Sequence, residues 1–224
     1  MLLSIDDPQV RRRIPNAITV ARLVVSGVFF AMLTLYRPGT VGMAWWLFAA
    51  GWVYGLAAAT DWIDGHLARK WDVASVFGRV VDPFCDKMLI LGTFVFLASP
   101  VFALPDTGEH LSGVGPVVVI LILGRELLVT TLRSINEQAG ISGGAKWAGK
   151  FKMVFQSIAI PVILVYVFAR GWLDRGQTLE IALRVLRDVA VWGTVAVTLW
   201  SAWDYLPRKG GRRKEEGGSP KSAF

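Results

Sequence analysis

Four aspartates recur at helical spacing between two apolar stretches of the chain. They are Asp61, Asp64, Asp82 and Asp86, in the segment TDWIDGHLARKWDVASVFGRVVDPFCDK, which begins at residue 60 and also contains Asp72. The first two are three residues apart and the last two are four apart, so each pair shares one face of a helix. The short connection predicts antiparallel neighbours that bring the four carboxylates together, where cations or protons must offset their charge. Because carboxylate oxygens suit hard cations, the pattern predicts a site for Mg²⁺ or Mn²⁺.

The alternative interpretation is a set of ordinary charges near a membrane surface. A single aspartate at the end of an apolar helix often faces water or pairs with a cation, and Arg69 and Lys87 are available nearby. Four carboxylates at these spacings favour a site instead, since acids inside membrane segments mark functional positions.

Small residues and an arginine accompany the aspartates. Gly65 and Gly78 allow close approach of backbone or ligand, and Ala68 leaves room beside them. Arg69 presents a planar fork that matches phosphate oxygens. Together with metal ions, these residues favour binding of a phosphoryl or diphosphate group.

Apolar runs long enough to cross a membrane surround this segment. The chain has 224 residues, of which 54% are hydrophobic, and a spanning helix needs roughly 18 or more apolar residues. Six such runs are present, at about Asn16–Tyr36, Met43–Thr60, Met88–Leu104, Val114–Leu132, Phe151–Ala169 and Val189–Leu206. Strands of a membrane barrel are short and alternate in character, unlike these runs. The sequence therefore predicts an all-α integral membrane protein with a bundle of six transmembrane helices.

The distribution of basic residues orients the chain. The formal net charge is +7, and basic clusters precede the first span, flank the aspartates, precede the fifth span and follow the sixth. The positive-inside rule therefore places both termini and the aspartates in the cytoplasm, for a multi-pass protein of the inner or cytoplasmic cell membrane. Arginines between the fifth and sixth spans disagree with this rule, and we interpret Arg184 and Arg187 as helix-end or interior residues.

A single domain accounts for most of the chain. We expect residues 1–13 to form a cytoplasmic N-terminal segment, in which a short interfacial helix is plausible. Residues 14–206 form the six-helix domain, and residues 207–224 form a disordered basic cytoplasmic tail. The only cysteine is Cys85, so no intramolecular disulfide is expected.

The aspartate segment matches a known motif when it is written out. It reads Asp61-x2-Asp64-Gly65-x2-Ala68-Arg69-x8-Gly78-x3-Asp82-x3-Asp86. This pattern resembles the complete signature of the CDP-alcohol phosphatidyltransferases. The resemblance implies six transmembrane helices around a cytoplasm-facing polar cavity, two divalent metal ions and a homodimer. It also implies a reaction in which a hydroxyl-bearing acceptor replaces the CMP of a CDP-linked lipid or alcohol.

Other stretches resemble the branch of this family that joins CDP-diacylglycerol to glycerol 3-phosphate. They are IPNAITVAR in the first span, GRELLVTTLR in the fourth, WAGKFKMVFQ at the start of the fifth and LWSAWDYL in the sixth. The similarity extends from Ile14 to Leu206. Cys85 departs from the pattern, because the family usually has a small alanine there, and we interpret it as a packing residue.

The resemblance assigns roles to individual residues. The metal ligands would be Asp61, Asp64 and Asp82. Asp86 would also contact a metal and would act as general base on the acceptor hydroxyl. A carboxylate beside two cations is a weak base in the ground state, but it need only accept the proton as the hydroxyl becomes more acidic in the transition state. The CDP-lipid would contact Asn16, Thr19, Asp64, Gly65, Ala68, Arg69, Ser75 and Gly78.

Charged residues of the fourth span and of the next segment suit a phosphorylated acceptor. Glu126, Thr130 and Arg133 share a face by helical spacing, and charges inside such a run should point into the bundle. A dianionic acceptor needs several cationic donors, and the predicted phosphate pocket comprises Arg125, Arg133, Lys146, Lys150 and Lys152. A competing interpretation is that the lysines are ordinary cytoplasmic charges or contact anionic lipid headgroups.

Other functions share part of this pattern. A cardiolipin synthase that uses phosphatidylglycerol, or a transferase for inositol phosphate or serine, would keep the aspartates, but a lipid acceptor would not need the phosphate pocket. A divalent-cation carrier would not require small residues and an arginine at fixed spacing, and its acids would lie nearer the middle of the membrane. A purely structural scaffold would require none of these residues, and no nucleic acid is expected as a partner.

Overall fold

The computed structural model of the chain describes residues 8–40, 42–71, 76–138, 146–173 and 176–203. Within these ranges the side chains are described except at 8–16, 61–83, 86, 137, 146, 148 and 150. The helices are α1 (Pro8–Leu35), α2 (Met43–Trp71), α3 (Val76–Leu97), α4 (Pro116–Gln138), α5 (Lys146–Arg170) and α6 (Thr178–Trp203). A 3-10 turn at Pro100–Phe102 and an isolated β-bridge between Ala103 and His110 lie between α3 and α4. The described residues contain no β-strand, so the predicted all-α architecture is confirmed for them.

Several helices extend beyond the apolar runs of the sequence. α2 continues eleven residues past Thr60, and α3 begins at Val76, ahead of the second pair of aspartates. α6 begins at Thr178 instead of Val189. α3 ends at Leu97, short of the predicted Leu104, because Pro100 has no N–H to donate and its ring clashes with a helical carbonyl four residues earlier.

Three helices in the described part of the chain are long and apolar enough to cross a membrane. Their apolar stretches are Ala17–Leu35, Met43–Thr60 and Phe151–Arg170, and the apolar part of α3 is shorter, at Lys87–Leu97. Charged residues within α4 and α6 interrupt their apolar stretches. Large apolar side chains on the outside of the bundle, such as Trp52, Ile120, Val165 and Trp192, are exposed. An apolar outer surface of this kind fits contact with lipid.

α1 packs against both helices that carry the aspartates. Toward α2, the indole nitrogen of Trp46 donates to the carbonyl oxygen of Met32 at 2.9 Å, and the rings of Phe29 and Tyr54 lie 5.5 Å apart. Toward α3, Phe30 stacks on Phe96 with 5.3 Å between ring centroids. These contacts fix the axial register of α1 on each of the two helices.

α5 forms the other side of the core. It packs against α2, α3 and α6, while α4 packs against α3 and α6. The sequence predicts that α2 and α3 are direct neighbours. Among the described residues, however, α2 packs mainly on α1 and α5, and α3 packs mainly on α1, so α1 bridges the two aspartate helices.

A buried glutamate joins the start of α6 to α5. Glu180 accepts three hydrogen bonds from Arg184 at 2.7, 2.9 and 3.0 Å, one from the hydroxyl of Tyr166 at 3.1 Å and one from the backbone N–H of Gly176 at 3.2 Å. Burial alone raises the pKa of this carboxyl, but the hydrogen bonds, of which that from Arg184 is the strongest, outweigh it and hold the pKa below its ordinary value. Glu180 is therefore a charged anchor between the two helices.

A second arginine of α6 holds the loop that precedes α4. Arg187 donates to the carbonyl oxygen of Leu111 at 2.8 Å and to the carboxylate of Asp188 at 2.7 Å, and it lies over the ring of Tyr166. The loop passes so close that a side chain at Gly113 would clash with the guanidinium. Arg187 is buried, which agrees with its interpretation as an interior residue.

Candidate active site

The aspartate pairs lie on continuous helices. Asp61 and Asp64 are in the last three turns of α2, and Asp82 and Asp86 are in the first three turns of α3. The helical backbone therefore gives each pair the shared face that the spacing predicts. Their side chains lie outside the described residues, so metal binding by these four aspartates remains a prediction.

The other residues of the signature occupy the same two helices. The backbone is helical at Gly65, Ala68 and Arg69 of α2 and at Gly78 of α3. Ser75 lies outside the described residues. Elsewhere in the described part of the chain, no group of three or more His, Cys, Asp or Glu side chains could hold a metal ion. The carboxylates of α2 and α3, with oxygen donors only, remain the donor set that fits Mg²⁺ or Mn²⁺.

Cys85 precedes the last aspartate of the signature. Its side chain is buried. A buried thiol behaves as a small apolar group, in accordance with the interpretation of Cys85 as a packing residue.

The inner face of α1 is polar near the level of this site. Thr19, Arg22 and Ser26 are all buried, and their spacing puts them on one face of the helix. Thr19 is predicted to contact the CDP-lipid, and Asn16, for which the same contact is predicted, lies one turn earlier in α1. Arg22 was not predicted as a site residue, although an arginine within an apolar run and three residues from Thr19 was a usable signal.

A buried cluster of charges joins α4, α5 and α6. Both Arg125, at 2.9 Å, and Lys152 donate to the same carboxylate oxygen of Glu126. Arg125 also donates through Nε to the backbone oxygen of Thr198 at 3.2 Å, and Gln156 donates to the hydroxyl of Thr198 at 3.3 Å. Two cations share one carboxylate, so the cluster carries a net positive charge.

The cluster retains an unused donor. The Nη2 atom of Arg125 is buried and has no hydrogen-bond partner among the described residues. Two predicted phosphate contacts, Arg125 and Lys152, are thus bound to Glu126 in this structure, and this pairing was not predicted. A net positive charge with an unsatisfied guanidinium donor suits an anion.

A polar contact links this region to the aspartate helix. Lys87, which follows Asp86 on α3, donates to the hydroxyl of Thr130 on α4 at 2.9 Å. Arg133 lies one turn beyond Thr130 and is exposed. The predicted face of α4 therefore lies beside the start of α3. The predicted residues Lys146 and Lys150 are in the first turns of α5, and their side chains are outside the described residues.

The predicted cavity falls on the parts of α2 and α3 whose side chains are not described. Within the described residues, a groove between α2 and α5 is lined by apolar side chains, among them Leu47, Trp52, Leu164 and Phe168. This groove faces the apolar outer surface and has no residue of the signature.

Known proteins resemble the chain over nearly all of its length. Three relatives are named CDP-diacylglycerol–glycerol-3-phosphate 3-phosphatidyltransferase. That of Bacillus subtilis is 28% identical over 203 residues, covering 87% of this chain and 94% of the relative. That of Pseudomonas fluorescens is 31% identical over 207 residues, with 90% and 95% covered. That of Escherichia coli K12 is 31% identical over 196 residues, with 86% and 92% covered.

The family model agrees with the signature and with the helices that carry it. The model of the CDP-alcohol phosphatidyltransferases matches residues 12–200, which include the aspartate pairs, the inner face of α1 and the charged cluster. The chain therefore belongs to the CDP-alcohol phosphatidyltransferase family.

Proposed function

We propose that the protein transfers the phosphatidyl group of CDP-diacylglycerol to glycerol 3-phosphate, giving phosphatidylglycerophosphate and CMP. The observation that carries this proposal is the match, over about nine-tenths of the chain, to relatives that all bear the name of this activity. The complete signature on α2 and α3 supplies the residues that such a transfer needs.

The four aspartates would hold two divalent ions, Mg²⁺ or Mn²⁺. When bound, these ions would offset the charge of the diphosphate and of the bond that breaks at phosphorus. Asp61, Asp64 and Asp82 would serve as ligands only. Asp86 would also accept the proton of the acceptor hydroxyl as its oxygen forms the new bond to phosphorus and CMP leaves.

The CDP-lipid would lie against three helices. Asn16 and Thr19 of α1, Gly65, Ala68 and Arg69 of α2, and Gly78 of α3, together with Ser75, form the proposed contact surface. Arg69 is the residue of this set that can pair with a diphosphate oxygen. The glycines and the alanine keep the surface open for the nucleotide.

Glycerol 3-phosphate would bind between α3, α4 and α5. The contact from Lys87 to Thr130 supports this placement, since Lys87 follows Asp86 on α3 and Thr130 lies one turn before Arg133 on α4. The net positive cluster around Glu126 lies further into the bundle, where the spare donor of Arg125 suits a phosphate oxygen. Lys146, Lys150 and Lys152 of α5 would complete the positive environment of the acceptor.

We also propose that all six helices cross the membrane. The charged residues that interrupt α4 and α6 are mostly buried, as Arg125, Glu126 and Arg187 are, so they face the bundle and not the lipid. The basic residues would put both termini and the active site on the cytoplasmic side of the cell membrane. The active form would be a homodimer.

An acceptor panel tests this function. Purified protein with CDP-diacylglycerol and Mn²⁺ should release CMP with glycerol 3-phosphate, and much less with phosphatidylglycerol, serine or inositol phosphate. Release of CMP with phosphatidylglycerol alone would identify a cardiolipin synthase and would overturn the proposed acceptor.

A further inference from the structure

Arg22 is a charged residue buried within the first apolar span. Its side chain is 1% exposed. It lies about 8 Å along the helix from Ala17, where the apolar stretch begins. Arginines near membrane surfaces usually extend their guanidinium toward water, and this one does not. A guanidinium buried in a membrane span needs a counter-charge close by.

The two helices on which α1 mainly packs contain four acidic residues. α1 packs mainly on α2 and α3, and α1 itself contains no Asp or Glu. The acids of α2 and α3 are Asp61, Asp64, Asp82 and Asp86, which are the four aspartates of the signature. The acids that precede α1 in the sequence, Asp6 and Asp7, are at least fifteen residues from Arg22 along the chain.

The register on α2 selects one of these acids. Phe29 of α1 contacts Tyr54 of α2, and the two helices are antiparallel. Arg22 lies seven residues before Phe29 and Asp61 lies seven residues after Tyr54, so the two positions are at the same level. The hydrogen bond from Trp46 to Met32 instead puts Arg22 level with position 56 of α2, so on either contact Asp61 lies nearer to this level than Asp64 does.

The register on α3 selects a second acid. α1 and α3 run in the same direction, and Phe30 stacks on Phe96 and touches Gly92. Eight residues back from these contacts, Arg22 lies level with positions 84 to 88 of α3, with Asp86 in the middle of that range. The helix that bridges α2 and α3 thus brings one arginine to the level of one aspartate on each.

We infer that Arg22 is a positioning residue of the proposed metal site, whose guanidinium donates to the carboxylates of Asp61 and Asp86 and holds them in place. The inference rests on the proposed role of these aspartates as metal ligands. Arginine has five donors in a rigid fork, which allows it to serve two carboxylates from different helices. Carboxylates that bind metals are usually held by a second hydrogen-bonding group, and loss of that group weakens metal binding.

The test is a comparison of two Arg→Lys variants. Arg22→Lys keeps the positive charge but loses the fork, so a change reports lost orientation of the carboxylates. Arg187→Lys is the matched control. Arg187 is also buried, but it belongs to α6 and contacts Leu111 and Asp188, not the aspartates of α2 and α3. Mn²⁺ binding to purified protein, without lipid substrate, is followed by the paramagnetic resonance signal of free Mn²⁺.

Arg22→Lys should need about 10- to 100-fold more Mn²⁺ for half occupancy, whereas Arg187→Lys should bind as the wild type does. High Mn²⁺ should then restore CMP release by Arg22→Lys to within a few-fold of the wild type, which a general packing defect would not allow. Wild-type affinity in Arg22→Lys would overturn the inference alone. Absence of Mn²⁺ binding in the wild type would overturn the proposed metal site, and the role of Arg22 with it.

A cross-linking measurement tests the placement of Arg22 independently of Mn²⁺ binding. In a Cys85→Ala background, Arg22→Cys paired with Asp61→Cys or with Asp86→Cys should be joined by a short thiol cross-linker. Arg22→Cys paired with Tyr54→Cys should not, because Tyr54 lies two turns away at the level of Phe29. Equal yields for all three pairs would overturn the placement of Arg22.

Discussion

Replacing Glu126 with glutamine removes the shared counter-charge of two buried cations. The side chains of Arg125 and Lys152 are only 5% and 7% exposed, and both donate to Glu126. Removing one partner of a buried ion pair costs about 3–5 kcal/mol, because the remaining charge is left uncompensated. For a protein of this size, that corresponds to a decrease in Tm of about 6–20 °C. Thermal unfolding of detergent-purified protein, followed by tryptophan fluorescence, measures it.

Two further variants separate the charge effect from a general loss of packing. Glu126→Gln with Lys152→Met removes one negative and one positive charge, so the net charge of the cluster is unchanged and most of the lost stability should return. Asp188→Asn is the matched acid-to-amide control, since Asp188 is 48% exposed in its pair with Arg187 and such pairs contribute about 0–1 kcal/mol. A Glu126→Gln variant no less stable than Asp188→Asn would refute the reasoning.

Three other predictions concern the aspartates, the acceptor and pH. Replacing any one aspartate with asparagine should reduce CMP release about 100-fold or more, because each supplies a direct contact in the proposed metal site; the variants are Asp61→Asn, Asp64→Asn, Asp82→Asn and Asp86→Asn. EDTA should abolish CMP release by the wild type reversibly. Arg133→Ala should lower kcat/KM for glycerol 3-phosphate by about 10- to 150-fold, because it removes one charged hydrogen bond, while the affinity for CDP-diacylglycerol without acceptor stays within a few-fold of the wild type. Weaker binding of CDP-diacylglycerol with unchanged use of glycerol 3-phosphate would mean that Arg133 belongs to the lipid pocket. Because the pKa of Glu180 is lowered in the folded state, the stability that its charge contributes is present above the ordinary pKa of 4.5 and is lost as the pH falls through the folded pKa. The Tm difference between the wild type and Glu180→Gln should therefore shrink below pH 4.5. A difference that stays constant with pH would contradict the role of Glu180 as a charged anchor.

The sequence predicts the local part of the site well. Spacings of three and four residues define the helical faces of the aspartate pairs, and the backbone of α2 and α3 agrees. The extents of these helices were underestimated because hydropathy falls at Thr60 and rises only at Met88, whereas backbone hydrogen bonding continues through polar residues. Hydropathy marks where a helix meets lipid, not where the helix ends.

Pairings between distant residues could not be predicted. Lys152 looked like a ligand for phosphate because it is basic and lies near the cytoplasmic end of α5, but its partner Glu126 is 26 residues away in the sequence. Arg187 binds a carbonyl oxygen 76 residues away. Arg22 stood as one charge in an apolar run, and only the contacts of α1 with α2 and α3 show its level. These facts depend on how helices are arranged, which the helical period of one segment does not contain.

The most direct measurement of the proposed function follows both products of one reaction. Purified protein is incubated with CDP-diacylglycerol, isotope-labelled glycerol 3-phosphate and Mn²⁺, with Asp61→Asn as the inactive control. We predict that CMP and labelled phosphatidylglycerophosphate form in equal amounts, and that neither forms without Mn²⁺ or with the control. CMP release that does not depend on glycerol 3-phosphate, or that leaves the label out of the lipid, would contradict the proposed transfer.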